Sequence, residues 1–219
     1  VADLAQLVAA VRFADSGFPA GGFAFSSGLE GAHRDRLVRD AGDVAAFAAE
    51  QLEARWHRCD RVVLRRAWTD GDPITADLLA EAVATMSVLR AASRRAGAAM
   101  LATFAALVDS GVDEYRVRVL DGTAPGHLPV AQALCFRAAG VALQTAEAVA
   151  AWQILSGITG AAVRLDIIGH LGAQRALATL TPFLLDVLGR QPATTPASFT
   201  AYADIAAQRR ADGVRLFAS

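Results

Sequence analysis

Apolar residues recur along this chain at helical spacing, and the interruptions between runs are glycines, prolines and short polar clusters. Leu4 to Arg12 reads as a short apolar helix that must stop before Ser16-Gly17-Phe18-Pro19, because the residue ahead of a proline is pushed out of helical geometry. Asp40 and Asp43 are spaced as capping and first-turn residues of a helix. Beyond them Ala45, Leu52, Trp56, Cys59 and Val63 share one face, while Glu53, Arg58, Arg61 and Arg65 are assigned to the others. Asp70-Gly71-Asp72-Pro73 ends that element.

From Thr75 to Asp109 the spacing predicts one long helix, or two meeting at a kink, with Leu79, Val83, Met86, Ser93, Gly97, Met100, Phe104 and Leu107 along an apolar or small face. Gly97 costs about 1 kcal/mol of helix propensity relative to alanine, so its presence argues for close packing at that point. Gly111 to Pro129 is the least helical interval. Tyr115 to Leu120 alternates like a short strand, but a lone strand has no ladder partner, and the interval is read as an excursion or short irregular helix. Helices are expected again over Pro129–Ala139, Leu143–Leu155, Gly160–Asp166 and Gly169–Leu188, with Pro182 kinking or shortening the last. Residues 191–198 carry two prolines and read as a mobile linker, and the polar segment from Phe199 to Ser219 as a tail that docks elsewhere. Prolines, glycines and shifts of phase rule out a sustained heptad. The expected fold is therefore all-α, an irregular multi-helix bundle, and residues 1–219 form a single domain.

Composition narrows the function. Apolar residues make up 54% of the chain against 20% charged, more than one small core requires, which points to surface covered by a partner. Twenty-one basic and 22 acidic residues leave a formal charge of −1, so no global field attracts nucleic acid or an anionic membrane. The longest uncharged stretch, Ala148 to Val163, is too short and too polar for a membrane span. The first residues, with Asp3 and Gln6, show no secretory pattern. Two cysteines, Cys59 and Cys135, make no disulfide framework, and the cytoplasm is the expected compartment.

Candidate chemistry is sparse. No dinucleotide or phosphate-loop motif occurs, and no cofactor is expected. His57 with Cys59, and Asp166 with His170, are incomplete ligand sets, so no durable metal site is expected. Ser26, Ser27 and Cys59 are the available nucleophiles, but none lies in a recognisable catalytic frame. Capping and core roles fit them better. Arg90 and Arg94 share a helical side, either as a solvated face or as contacts for an acidic partner.

The segment from Ala14 to Glu30, with Pro19-Ala20-Gly21-Gly22-Phe23 followed by Ser26-Ser27-Gly28-Leu29-Glu30, resembles the opening signature of the urease accessory protein F family, UreF. Further ordered likenesses are Arg66-Ala67-Trp68, the region from Leu89-Arg90 to Gly97, Ser156 to Arg164, Gly169 to Arg175, and the terminal Arg215-Leu216-Phe217-Ala218-Ser219. The resemblance implies an all-helical, noncatalytic maturation factor. Such a protein dimerises, joins the accessory protein UreD (also called UreH) and the GTPase UreG, and assists GTP-dependent nickel delivery to apo-urease. Carried over by position, Gly21, Gly22, Ser26, Gly28, Leu29, Glu30, Gly97, Gly160, Gly169, Gln174 and Arg175 shape the signature regions. Arg215, Leu216, Phe217 and Ser219, in the tail, are the partner contacts the resemblance implies, and Arg90 and Arg94 remain candidate partner contacts on their charge pattern. A divergent helical hydrolase and a general oligomeric scaffold are the alternatives.

Overall fold

The computed structural model describes residues 3–19, 26–107 and 111–197, and every regular element among them is helical. Helix α1 spans Leu4–Ala14 and starts at Asp3, whose carboxylate accepts from the Ala5 amide at 2.9 Å. The short α2 covers Leu29–Arg34. Helix α3, Ala41–Glu50, begins as expected at Asp40, which accepts from the Asp43 amide at 3.0 Å. It continues without a break through a π-helical stretch, Gln51–Asp60, into α4, Arg61–Thr69. Asp72 caps α5, Pro73–Val83, with Pro73 in its first turn, where a missing amide costs nothing. A break at residues 84–86 separates α5 from α6, Ser87–Leu107. Helices α7, Asp113–Leu120, α8, Leu128–Ala138, α9, Leu143–Arg164, and α10, His170–Gly189, complete the set.

Two helices form the interior. Pro129 to Phe136 of α8 are buried on every face, and α8 packs between α4 and α6. Helix α9 lies against α1, α3, α8, α10 and the π stretch. By length and composition α9 would suffice to cross a membrane, but 56% of its most apolar window is buried inside the bundle, as expected of a core helix. Phe13, Phe18, Phe104 and Phe136 join α1, the turn after it, α6 and α8, with ring centroids 5.2 to 6.2 Å apart in tilted and edge-on pairs.

Several local expectations change. Tyr115 to Leu120 belongs to a regular helix, α7, because Tyr115 faces inward and its hydroxyl donates to buried Asp77 at 2.7 Å. The helices expected on either side of Ser156-Gly157-Ile158 are one: core burial of Leu155, Ile158 and Ala161 outweighs the weak propensity of Gly157 and Gly160. Pro182 sits within α10 instead of ending it, at an exposed position on a face away from the core. Leu107 is exposed, not part of the inner face of α6. Arg61, assigned to an outer face, is only 1% exposed. The wider i→i+5 turns of Gln51–Asp60 shift the phase of the faces, which a constant 3.6-residue period does not anticipate.

Candidate functional site

The inward shift of Arg61 builds a buried ionic centre. Its Nε donates to Glu147 Oε1 at 3.1 Å and its Nη2 to Oε2 at 3.0 Å, so the pair is two-pronged, with both side chains 2% exposed. The guanidinium also donates to backbone carbonyls at the end of α10, Nη2 to Leu188 at 2.9 Å and Nη1 to Val187 at 2.8 Å and Arg190 at 3.0 Å, and Nη1 shares its two hydrogens between these and His57. Arg61 thus closes the C-terminus of α10, where the helix dipole favours a cation. Arg65 also holds Glu147. Burial by itself would raise the Glu147 pKa, but the hydrogen bonds from Arg65 and Arg61 prevail and hold it below the usual carboxylate value. Burial and the neighbouring Arg61 charge lower the pKa of His57, whose Nδ1 lies 3.1 Å from Arg61 Nη1 and accepts from it as a neutral ring.

This centre also sets the path of the chain beyond α10. Arg190 pairs with Glu53, Arg66 donates to the Thr194 carbonyl at 2.7 Å, and the Ala197 amide donates to the Arg58 carbonyl at 2.9 Å. Residues 191–197 therefore run back along the π stretch and α4.

A second network fixes the turn entering α8. Asp77, fully buried on α5, accepts from Tyr115 Oη, from the Gly126 amide at 2.7 Å and from the His127 amide at 2.9 Å. Burial, then the charge of Asp77, raises the Tyr115 pKa, keeping the phenol a donor. One helical turn on, Glu81 accepts from His127 Nε2 at 2.8 Å. On the other side of the ring His127 Nδ1 is hydrogen-bonded to Ser93 Oγ at 3.1 Å, and Ser93 Oγ accepts from the Leu128 amide at 3.2 Å. Acid, imidazole and hydroxyl stand in the order found in hydrolases. Here, however, Glu81 is also held by Arg90 and Arg94, and Ser93 holds the first amide of α8, so the network acts as a lock on the turn. Burial tends to raise the Glu81 pKa, but hydrogen bonds from Arg94, His127 and Arg90 bring it down to about 2. Gly97 completes the lock: a Cβ there would stand 2.1 Å from the Gly126 carbonyl oxygen.

Beside the lock, with Ser93 and His127 in its wall, lies a cleft of about 980 Å³. It brings together segments far apart in sequence: Phe18 and Ser27 from the opening signature, Ser93 and His127 from the lock, Gly160 on α9 and Gln174 on α10. Gly28, at φ +87, needs the left-handed conformation that glycine supplies as α2 begins, and Leu29 behind it is fully buried. Ser26 is fully buried and its Oγ accepts from the Glu30 amide at 3.5 Å, a capping geometry. Gly169 precedes α10, and Arg175 is exposed on that helix next to Gln174. Arg90 and Arg94, 35% and 44% exposed, keep an outward edge while paired to Glu81. Gly21, Gly22, Arg215, Leu216, Phe217 and Ser219 lie outside the described residues.

Of the nucleophiles considered, Ser26 is out of reach of a substrate, and burial, then Asp60, pushes the Cys59 thiol up to about 12, far from a reactive thiolate. Among the described residues no group of three or more His, Cys, Asp or Glu side chains could hold a metal ion.

The sequence reading did not find Arg61, Glu147, Asp77 and the role of His127. Glu147 had a signal: it is the single charged residue between Arg137 and Arg164, and a carboxylate in so apolar a run needs a buried partner.

Comparison with known proteins gives one consistent answer. The UreF family profile matches residues 38–181. A urease accessory protein UreF of Cereibacter sphaeroides strain KD131 is 31% identical over 97% of this chain and 98% of its own length. UreF proteins of two further strains of that organism are each 30% identical over the same shares.

Proposed function

Since the chain belongs to the UreF family of urease accessory proteins, we propose that it is a noncatalytic scaffold of urease maturation. In this reading it works in the cytoplasm as a homodimer, binds the UreD/UreH accessory protein and the GTPase UreG, and assists GTP-dependent nickel delivery to apo-urease. GTP hydrolysis then belongs to UreG, and urea chemistry to the activated urease.

The observation that carries this reading is the end-to-end likeness, over 97% of the chain, to a relative named for that accessory role. The geometry agrees with it. The opening signature and the segments around Gly160 and Gln174 converge on one cleft instead of dispersing over the surface. A solid bundle pinned by the Arg61–Glu147 centre and the Glu81–His127 lock suits a scaffold, which must hold its shape while partners exchange. A hydrolytic activity gains no support from buried Ser26 or the protonated thiol of Cys59.

Co-purification of the tagged chain with UreD/UreH and UreG is the test. The expected result is a stoichiometric complex with UreD/UreH that then retains UreG. Separate elution of all three at micromolar concentrations would reject the scaffold role.

A further inference from the structure

The π-helical stretch has a consequence for the cleft beside it. π turns occur mostly singly and frequently at functional sites, yet here they run for ten residues, Gln51–Asp60. Their i→i+5 repeat stacks residues five apart on one face, so Gln51 lies in line with Trp56, and Arg55 with Asp60. On an α-helix, where neighbours are three and four apart, both pairs would diverge. All four residues line the cleft of about 980 Å³.

Gln51 and Trp56 are each 1% exposed. Neither the donor nor the acceptor of the Gln51 amide, nor the Trp56 Nε1–H, has a hydrogen-bond partner among the described residues. Arg61 lies over the Trp56 ring at 5.6 Å and covers its face, not its N–H edge. Other amides of the same cleft are bonded: Gln132 donates to Gln153 at 2.9 Å, and Gln153 to the Phe13 carbonyl at 2.8 Å. Buried polar groups are paired in the great majority of cases, and an orphan costs its full desolvation. Three orphaned atoms on one face of one element, in the wall of a cleft, mark a place that a ligand completes.

The orphaned atoms name the class of that ligand. The Gln51 amide offers a donor and an acceptor side by side, which a peptide group answers with its carbonyl and its N–H. Trp56, one π turn further along, offers a donor to a second carbonyl. A ligand that satisfies both carries polar groups at successive positions, as a peptide backbone does and a single small amide does not. Charge does not select it: among the described residues the lining sets Asp15 and Asp60 against Arg55 and Arg164. Much of the remaining wall is apolar, with Val83, Leu89 and Ile154, and suits uncharged side chains. We propose that the cleft binds an extended, uncharged polypeptide segment of a partner protein, held by its backbone through the Gln51 amide and the Trp56 N–H. The site goes beyond the scaffold role and does not depend on it, since a peptide alone tests it.

The test is heteronuclear NMR of the isotope-labelled full chain, titrated with the blocked tripeptide N-acetyl-Ala-Leu-Ala-amide. Saturable shifts of the Trp56 indole N–H and the Gln51 side-chain amide are expected, with a dissociation constant of about 1 mM or tighter. Gln51→Met keeps the length of the side chain without its polar atoms and weakens binding about fivefold or more. The free Gln51→Met protein melts no lower than wild type, because an apolar group replaces an orphaned amide. Trp56→Phe, which keeps a ring beneath Arg61, weakens binding about threefold or more. N-methylacetamide, a single peptide unit, binds about tenfold more weakly than the tripeptide, or weaker still. Absence of saturable shifts up to about 20 mM tripeptide, or wild-type affinity in Gln51→Met, overturns the site. A lower melting temperature for Gln51→Met shows that the amide is already satisfied in the free chain, and the proposal falls. Equal affinity for N-methylacetamide makes the ligand a small amide, which overturns the polypeptide segment. A chain that binds the tripeptide as described but forms no complex with UreD/UreH or UreG rejects the scaffold role and leaves the site standing.

Discussion

Arg61 shows how much one side chain carries in this fold. Its guanidinium makes six contacts, two to Glu147, one to His57 and three to carbonyls at the end of α10, so its loss leaves a buried carboxylate with Arg65 alone and reopens a helix end. Arg61→Met should lower unfolding stability by about 3 to 5 kcal/mol in urea titrations, whereas the paired change Arg61→Met with Glu147→Leu should recover much of that loss, since an apolar pair strands no charge. If the double variant is as unstable as the single, capping of α10 matters more than the charge pair. Glu81 supplies a pH signature. Its folded pKa of about 2 lies below the ordinary glutamate value of 4.5, so its contribution is complete above pH 4.5 and is lost as pH falls toward 2. The Tm difference between wild type and Glu81→Gln should therefore be largest near neutral pH and shrink across that acid window. A difference that does not vary with pH would assign Glu81 a packing role only. Little of this was legible beforehand: a buried arginine and an exposed one have the same letter, and only the isolation of Glu147 in an uncharged run hinted at a buried partner.

At the scale of elements, local signals located the ends better than the faces. Asp40 marked the start of α3, and Asp70-Gly71-Asp72-Pro73 the end of α4, because capping and helix breaking are short-range matters. The split of α5 from α6 was open to a kink for the same reason. What short-range reasoning missed was decided by packing: α7 is helical because Tyr115 reaches Asp77, and α9 runs through its glycines because both flanks are buried. The glycines of α6 and α9 make a controlled comparison. Gly97→Ala pushes a methyl into the Gly126 carbonyl and should cost about 2 kcal/mol or more by forcing α6 away from the turn. Gly157→Ala meets no atom within 4 Å and should stabilise by about 0.5 to 1 kcal/mol through helix propensity. Thermal melts of the two variants should shift in opposite directions. A Gly97→Ala protein as stable as wild type would mean that the turn at Gly126 yields, and that the lock is looser than its hydrogen bonds imply.

At the scale of the molecule, the sparse catalytic chemistry, the excess of apolar residues and the ordered signature segments already indicated an all-helical protein acting through partners. The convergence of Ser27, Gly160 and Gln174 on one cleft was not readable, because it depends on how α2, α9 and α10 are placed around the core. These features describe a rigid body with surfaces to offer, and the account stands or falls on whether urease needs it. The direct measurement is activation of purified apo-urease by UreD/UreH, UreG, GTP and nickel, with and without this chain. The account predicts that urease activity rises strongly only when the chain is present, and that the chain alone hydrolyses neither GTP nor urea. Equal activation with and without it would contradict the central claim.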